Sequence, residues 1–319
     1  MSKRSSVEIS IIVPVYNESE NLELLSSRLI SIMSQIKIDY EVICVNDGST
    51  DNSYGILVAI HQKNSRFKIV NFSRNFGKEI ALTAGLDYAR GSAVIPIDAD
   101  LQDPPELIVK LIDKWKEGYD VVYATRRSRR GESWLKKVTA KAFYLILERL
   151  IRIKIPANTG DFRLLDRKVV EAVKQMPEKT RFMKGLFSWV GYKQTSVLFD
   201  RDPRYSGRTS WNYWKLWNLA LSGIFSFSSL PLKIWSYIGF IISFISLIYA
   251  SFLVIRTLIY GIDVPGYASL MVAILFMGGI QLITLGVFGE YLSRLYEEAK
   301  RRPLYLVREE IGFCRNKDS

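Results

Sequence analysis

Ala93-Val94-Ile95-Pro96-Ile97-Asp98-Ala99-Asp100-Leu101-Gln102-Asp103-Pro104-Pro105-Glu106 begins as a short apolar run and ends as a run of carboxylates broken by prolines. Ala93–Ile97 has the length and composition of a buried strand, and a helix is expected to open near Pro104 and Pro105. Asp98 and Asp100 therefore sit at a strand end, one residue apart. Two carboxylates this close repel each other unless a cation holds them. Hard oxygen ligands of this kind suit Mg²⁺ or Mn²⁺, which keep several waters and bind substrate phosphates.

Outward from this stretch, short apolar runs alternate with amphipathic ones. Strands are expected over Ile9–Val15, Tyr40–Asn46, Phe67–Phe72 and Asp120–Ala124. Helices are expected over Glu18–Gln35, from Asp51, and over Lys78–Ala89. Strands alternating with helices predict a mainly parallel α/β sheet covered on both faces. Ligands of such sheets bind at the carboxyl ends of the strands. Asn17-Glu18, Asn46-Asp47-Gly48-Ser49 and Asp98-Ala99-Asp100 all fall at such ends, so the polar clusters converge on one side of the sheet.

The last third differs. No charge occurs between Lys233 and Arg256, nor between Asp263 and Glu290, and each gap is long enough for the ~20 helical residues that cross a bilayer. Two spans, about 233–257 and 266–291, are expected, joined by a turn at Thr257–Tyr267. Arg294, Lys300, Arg301 and Arg302 follow the second span, so both termini are expected in the cytoplasm, with 293–319 as a basic tail. Trp134–Ile153 places Lys137, Lys141, Glu148 and Arg152 on one helical face against a broad apolar remainder, the pattern of a helix lying in a membrane interface. Trp211, Trp214 and Trp217 suit the headgroup region for the same reason. The expected organisation is thus a catalytic domain over 1–200, a juxtamembrane segment over 201–231, the two spans within 232–292, and the tail.

The net charge of the 319-residue chain is +12, which suits an anionic membrane or phosphorylated substrates. A nucleic-acid module would explain the charge but not the apolar pair of spans. Cys44 and Cys314 form no CxxC, so a zinc site and a disulfide framework are not expected. Met1–Glu8 is short and polar and reads as no leader. No GxGxxG follows the first strand and no GxxxxGK[ST] occurs, which excludes dinucleotide and P-loop readings. His61 is the sole histidine, so a Ser-His-Asp triad with the strand-end groups is not expected.

Several motifs together carry a resemblance. They are Val13-Pro14-Val15-Tyr16-Asn17-Glu18, Asn46-Asp47-Gly48-Ser49, Ser73-Arg74-Asn75-Phe76-Gly77-Lys78-Glu79, Asp98–Glu106, Gly160-Asp161-Phe162-Arg163-Leu164 and Phe182-Met183-Lys184-Gly185. The chain resembles the family-2 inverting glycosyltransferases of GT-A fold, in the branch of the dolichyl-phosphate mannose synthases and bactoprenol glucosyltransferases. The resemblance implies that Pro14, Tyr16, Glu18 and Asp47 hold the uracil and ribose of a UDP-sugar. It implies that Asp98 lies against the nucleotide and sugar, and that Asp100 and Gln102, with Asp98, hold Mg²⁺ or Mn²⁺ at the diphosphate. Many relatives carry Asp-Asp-Gly-Ser where this chain has Asn46-Asp47-Gly48-Ser49. Asp161, in a Gly-Asp-Phe-Arg turn, takes the place of the family's proposed base.

The implied reaction moves a hexose, glucose by preference, from UDP-glucose onto a polyisoprenyl (undecaprenyl) phosphate at the cytoplasmic membrane. An acceptor phosphate monoester, with a second pKa of ~6, is already a nucleophile near neutrality. Asp161 is therefore expected to position the acceptor or Arg163 more than to remove a proton. The larger problem is bringing two anionic substrates together, for which arginine forks are suited. Arg126, Arg163 and Arg208 fall in matched motifs and are the arginines expected at the site; Lys78 is expected near the donor. Partners are the nucleotide sugar, the lipid phosphate and the membrane, with no nucleic acid, and a homo-oligomer is left open. The alternatives are another donor sugar (mannose or an aminosugar) and a non-catalytic lipid-phosphate-binding scaffold.

Overall fold

The computed structural model describes residues 7–126, 159–176, 178–179, 181–199, 230–260 and 266–313. The chain divides into two compact units, one of Met1–Tyr213 with Arg302–Ser319 and one of Trp214–Arg301. The first unit holds an eight-stranded sheet. Its strands are β1 (Ile9–Val15), β2 (Tyr40–Asn46), β3 (Phe67–Phe72), β4 (Ala93–Pro96), β5 (Val121–Arg126), β6 (Thr159–Asp166), β7 (Gln194–Phe199) and β8 (Val307–Ile311). Across the sheet they lie in the order β7-β5-β6-β4-β1-β2-β3-β8.

The central strands β4, β1, β2 and β3 are parallel. Their sequences are near-continuous apolar runs because helices cover both faces. Ile9, Ile11, Ile12, Val42, Ile43 and Ile69 have no exposed surface. Helix α1 (Leu22–Ile36) turns Leu22, Leu25, Leu29, Ile32 and Met33 inward at helical spacing. Helix α2 (Ser53–Lys63) joins β2 to β3, α3 (Lys78–Tyr88) joins β3 to β4, and α4 (Leu107–Lys116) joins β4 to β5. Pro14 is tolerated in central β1 because pairing with β4 ends at Ile12, so the missing N–H faces no acceptor. Gly85 lets α3 approach β1: a Cβ there would run into the side chain of Ile12.

Two features depart from the sequence expectation. Asp161 is not in a turn but in β6, which runs antiparallel to both β4 and β5. The stretch expected as a basic tail contains β8, antiparallel to β3 at the sheet edge. Tyr305 stacks on Phe72 with centroids 5.1 Å apart, and the hydroxyls of Tyr54 and Tyr88 donate to Glu309 and Glu310. A run of charges did not announce a strand because its pairing is non-local. Helices α5 (Arg167–Lys174) and α6 (Met183–Trp189) follow β6.

The second unit contains α7 (Leu230–Tyr260) and α8 (Tyr267–Ala299). Among the described residues one helix is long and apolar enough to cross a membrane, over Val272–Ala299 of α8; Tyr237–Tyr249 of α7 is a shorter apolar stretch. Large side chains such as Phe240, Phe244, Leu258, Phe276 and Leu282 are exposed on these helices. The interfacial helix expected at 134–153, the tryptophans at 211–217 and Arg208 lie outside the described residues, as does the side chain of Arg126.

Candidate active site

The site is built on the carboxyl ends of β1, β2 and β4 and the opening end of β6. After β1, Asn17 adopts a left-handed conformation (φ 55°). Its Oδ1 accepts from the Thr50 N–H at 2.8 Å, and its own N–H donates to Ser49 Oγ at 3.0 Å. The loops that follow β1 and β2 are thereby laced together. Glu18 accepts from Asn21 Nδ2 at 2.6 Å, Pro14 lies within β1, and Tyr16 is 47% exposed.

After β2, Asp47 is buried, and its two oxygens accept from the N–H groups of Phe76 and Gly77 at 2.7 and 3.0 Å. Burial raises its pKa, against the pull of those two bonds. Asp47 thus orders the loop that delivers Lys78. Gly48 (φ 64°) lets that loop close, since a Cβ would collide with the backbone of Arg74 and Asn75. Asn46 Nδ2 donates to Asn71 Oδ1 at 2.8 Å. An ionised aspartate has no donor to offer there, which gives a local reason for Asn46 in place of the more usual acid.

Beyond β4, the backbone is strained where the carboxylates cluster. Leu101 is left-handed (φ 57°) yet buried, and the Gln102 N–H donates to Asp100 Oδ1 at 3.1 Å. Glu106 leaves the cluster: it takes a two-point bond from Arg28 of α1, at 3.0 and 2.6 Å, and although burial opposes its ionisation, that arginine lowers its pKa.

The centre of the site is an ammonium between two carboxylates. Lys78 Nζ lies 2.6 Å from Asp98 Oδ1 and 2.6 Å from Asp161 Oδ2. Because β6 is antiparallel to β4, its opening residues lie beside the closing end of β4, and this brings Asp161 to Asp98. Desolvation opposes the charge on Lys78, but Asp98 and Asp161 outweigh it and raise its pKa above the ordinary lysine value. Desolvation likewise opposes ionisation of Asp161, yet Lys78, Lys184 and Arg163 hold its carboxyl well below the usual range. Asp98 goes the other way: burial, with Asp161 and Asp100 nearby, raises it despite Lys78.

Arg163 is buried in β6, donates to the Gly160 carbonyl at 2.8 Å and lies over the Phe187 ring at 4.7 Å. Burial lowers its pKa. Asp98, Lys78, Asp161 and Arg163 are therefore brought together, whereas Asp47 is occupied with the loop and Glu106 with α1. Two residues without an assigned role join the group. Glu79 of α3 accepts from the Met183 N–H at 2.9 Å, and its pKa is pushed up to about 7 by burial and by Asp161. Lys184 of α6 acts electrostatically on both Asp161 and Glu79. Both stand in matched motifs, but nothing in their spacing announced a mutual contact.

Asp98, Asp100 and Gln102 would supply the side-chain oxygens for a divalent cation; in this structure Lys78 holds Asp98 and the Gln102 N–H donates to Asp100 Oδ1. Gln102 Oε1 is buried and accepts no hydrogen bond among the described residues. A buried carbonyl oxygen in that condition fits a hard cation's ligand set. No group of three His, Cys, Asp or Glu side chains placed to hold a metal ion occurs among the described residues.

Residues 10–174 match the model of glycosyl transferase family 2. An uncharacterised glycosyltransferase of Synechocystis sp. is 68% identical over 307 residues, covering 96% of each chain. A prophage bactoprenol glucosyl transferase homologue of Escherichia coli is 47% identical over 302 residues, covering 95% of this chain and 99% of its own. Among solved structures, glucosyl-3-phosphoglycerate synthase of Mycobacterium tuberculosis in complex with Mn²⁺, UDP-glucose and phosphoglyceric acid is 19% identical, with a TM-score of 0.46 over 69% of this chain and 78% of that one. With one family's model spanning most of the sheet and relatives alike from end to end, the chain belongs to glycosyl transferase family 2, and its α/β sheet is of the GT-A type.

Proposed function

We propose that this chain transfers glucose from UDP-glucose to a polyisoprenyl phosphate at the cytoplasmic face of a membrane, with inversion at the anomeric carbon. The observation that carries the reading is the Asp98–Lys78–Asp161 bridge at the strand ends of a family-2 sheet, in a chain that also bears exposed apolar helices. Relatives named bactoprenol glucosyl transferase, 46–47% identical along nearly the whole chain, support the glucose and the lipid phosphate.

In this reading Pro14, Tyr16, Glu18 and Asp47 border the nucleotide, and Asp98, Asp100 and Gln102 hold Mg²⁺ or Mn²⁺. A divalent cation bound there supplies Lewis-acid stabilisation of the leaving diphosphate. Lys78 neutralises Asp98 and Asp161 and is close enough to follow charge as it develops. Asp161, kept ionised by its three cationic neighbours, is a weak base. It orients Lys78 and Arg163 toward an acceptor phosphate that needs no deprotonation at neutral pH. Arg126 and Arg208 complete the neutralisation of the two substrates. The expected consequence is that Asp161→Asn keeps the transfer rate within about tenfold; a loss of about 10²–10⁴-fold assigns it proton abstraction instead.

Both α7 and α8 are proposed to cross the membrane. β8 follows α8 and pairs with β3, so the chain returns to the first unit after the helices. A return to the same side takes two crossings, with both termini in the cytoplasm. The decisive experiment incubates the purified full chain with undecaprenyl phosphate and a panel of UDP- and GDP-sugars, with Mg²⁺, Mn²⁺ or EDTA. Lipid-linked glucose from UDP-glucose, abolished by EDTA, is expected; no metal-dependent lipid-linked sugar from any donor sinks the reading.

A further inference from the structure

Glu79 is a carboxylate placed beside another carboxylate, Asp161, in the half-buried first turn of α3. Like charges in such a place destabilise the fold unless something compensates. The compensation lies in α6. Glu79 Oε2 accepts the Met183 N–H at 2.9 Å, and Lys184 is attracted to Glu79 and Asp161 alike. One turn further along α3, Thr83 Oγ1 approaches Met183 Sδ at 3.7 Å, and the Met183 side chain is wholly buried. Phe187, one turn along α6 from Met183, carries the guanidinium of Arg163 on its ring. Among the described residues, the hydrogen-bonded and sulfur contacts between α3 and the opening of α6 are made at Met183, by Glu79 to its N–H and by Thr83 to its sulfur.

We infer that Glu79 is a positioning residue that holds the opening of α6, and with it Lys184, against Asp161, and so sets the affinity for the acceptor's phosphate. The inference rests on the proposed reading that Asp161 faces that phosphate. A phosphate monoester dianion arriving beside an ionised Asp161 needs Lys184 in place. Glu79 itself touches neither substrate: its tie is to the backbone that bears Lys184.

The test uses the full chain in detergent and has two readouts. In amide hydrogen exchange followed by mass spectrometry, Glu79→Ala is expected to speed exchange across 182–186 at least about tenfold, with peptides from β1 and β2 unchanged. Glu79→Gln, whose amide oxygen still accepts the Met183 N–H, is expected to stay within about threefold of the wild type. In the transfer assay, Glu79→Ala and Lys184→Ala are each expected to raise KM for undecaprenyl phosphate about tenfold, with kcat and KM for UDP-glucose little changed. The double variant is expected to be no worse than the worse single one, because the two act in series.

Unchanged exchange at 182–186 in Glu79→Ala overturns the tie, as does faster exchange throughout the domain, which marks a general structural role. Additive effects on KM overturn the route through Lys184. A wild-type chain that transfers no sugar removes the acceptor role and fails the proposed function, while the exchange result still decides whether Glu79 holds α6.

Discussion

Two buried polar clusters occupy opposite ends of the same strands. At the amino ends, Glu41 of β2 accepts from Ser10 Oγ at 2.6 Å and from the Arg90 N–H at 2.8 Å, and its second oxygen takes Lys68 Nζ at 2.6 Å. Ser10 Oγ in turn accepts from the Gly91 N–H at 2.8 Å, and Arg167 donates to the Gly91 carbonyl. One carboxylate meets one ammonium there, and the donors around them are used. At the carboxyl ends, Asp98, Asp161 and Glu79 crowd around Lys78. Gln102 Oε1, Asp161 Oδ1 and Arg163 Nε are buried there without hydrogen bonds among the described residues. A satisfied network specifies and stabilises a fold; a crowded one with unused donors and acceptors is organised for something that arrives. On the proposed function, the same sheet keeps its stability and its chemistry at separate ends.

The sharpest way to break this contrast is Lys78→Ala. It is expected to lower the sugar-transfer rate per folded molecule about 10²–10³-fold, the loss typical of removing one preorganised electrostatic group. A large stability loss with activity per folded molecule intact reverses the assignment of the two ends.

Glu41→Ala is the mirror experiment. Removing one partner of a buried pair strands Lys68 and the donors of Ser10 and Arg90, and about 3 kcal/mol of stability is expected to go, read by denaturant unfolding in detergent. Transfer per folded molecule should be unchanged. A smaller effect is expected in the pH dependence. The pKa of Glu79 is raised to about 7, so its contribution to stability is full below its unfolded value and is lost as pH rises through about 7. Glu79→Gln should remove that decline: equal to wild type below pH ~4.5 and more stable than it above pH ~7, in a series of melting temperatures. A parallel pair of curves sinks the assignment.

The smallest effect is expected at Arg28→Ala. The Arg28–Glu106 pair belongs to the carboxylate stretch by sequence but is an exposed helix-to-helix bridge, with Glu106 55% exposed. Less than about 1 kcal/mol and no change in transfer rate are expected. A loss of activity beyond tenfold moves Glu106 back into the site.

Much of the fold was legible because its signals are local. Apolar runs of strand length alternating with helical stretches mark β1 to β5 and α1 to α4 to within a few residues, and two long uncharged runs mark α7 and α8. The strand-end location of Asn17, Asp47 and Asp98 follows from that alternation alone. What it left out is non-local. β6 is antiparallel, so Asp161 meets Asp98 from the far side of a long connection and sits in a strand where a turn was expected. β8 is charged and its composition alone suits a tail, because a partner strand makes it a strand. The hydrogen bonds by which Asp47 orders the Lys78 loop are likewise non-local, and its place after β2 did not announce them.

The opening stretch, Ala93 to Glu106, shows where the division falls. By itself the sequence determined that a buried strand ends in closely spaced carboxylates, because hydrophobic periodicity and charge density are properties of neighbours along the chain. Only the tertiary structure decided that Glu106 turns away to Arg28, that Lys78 sits between Asp98 and Asp161, and that Glu79 reaches Met183. Those pairings depend on strand direction and helix placement, which are set by the packing of the whole core.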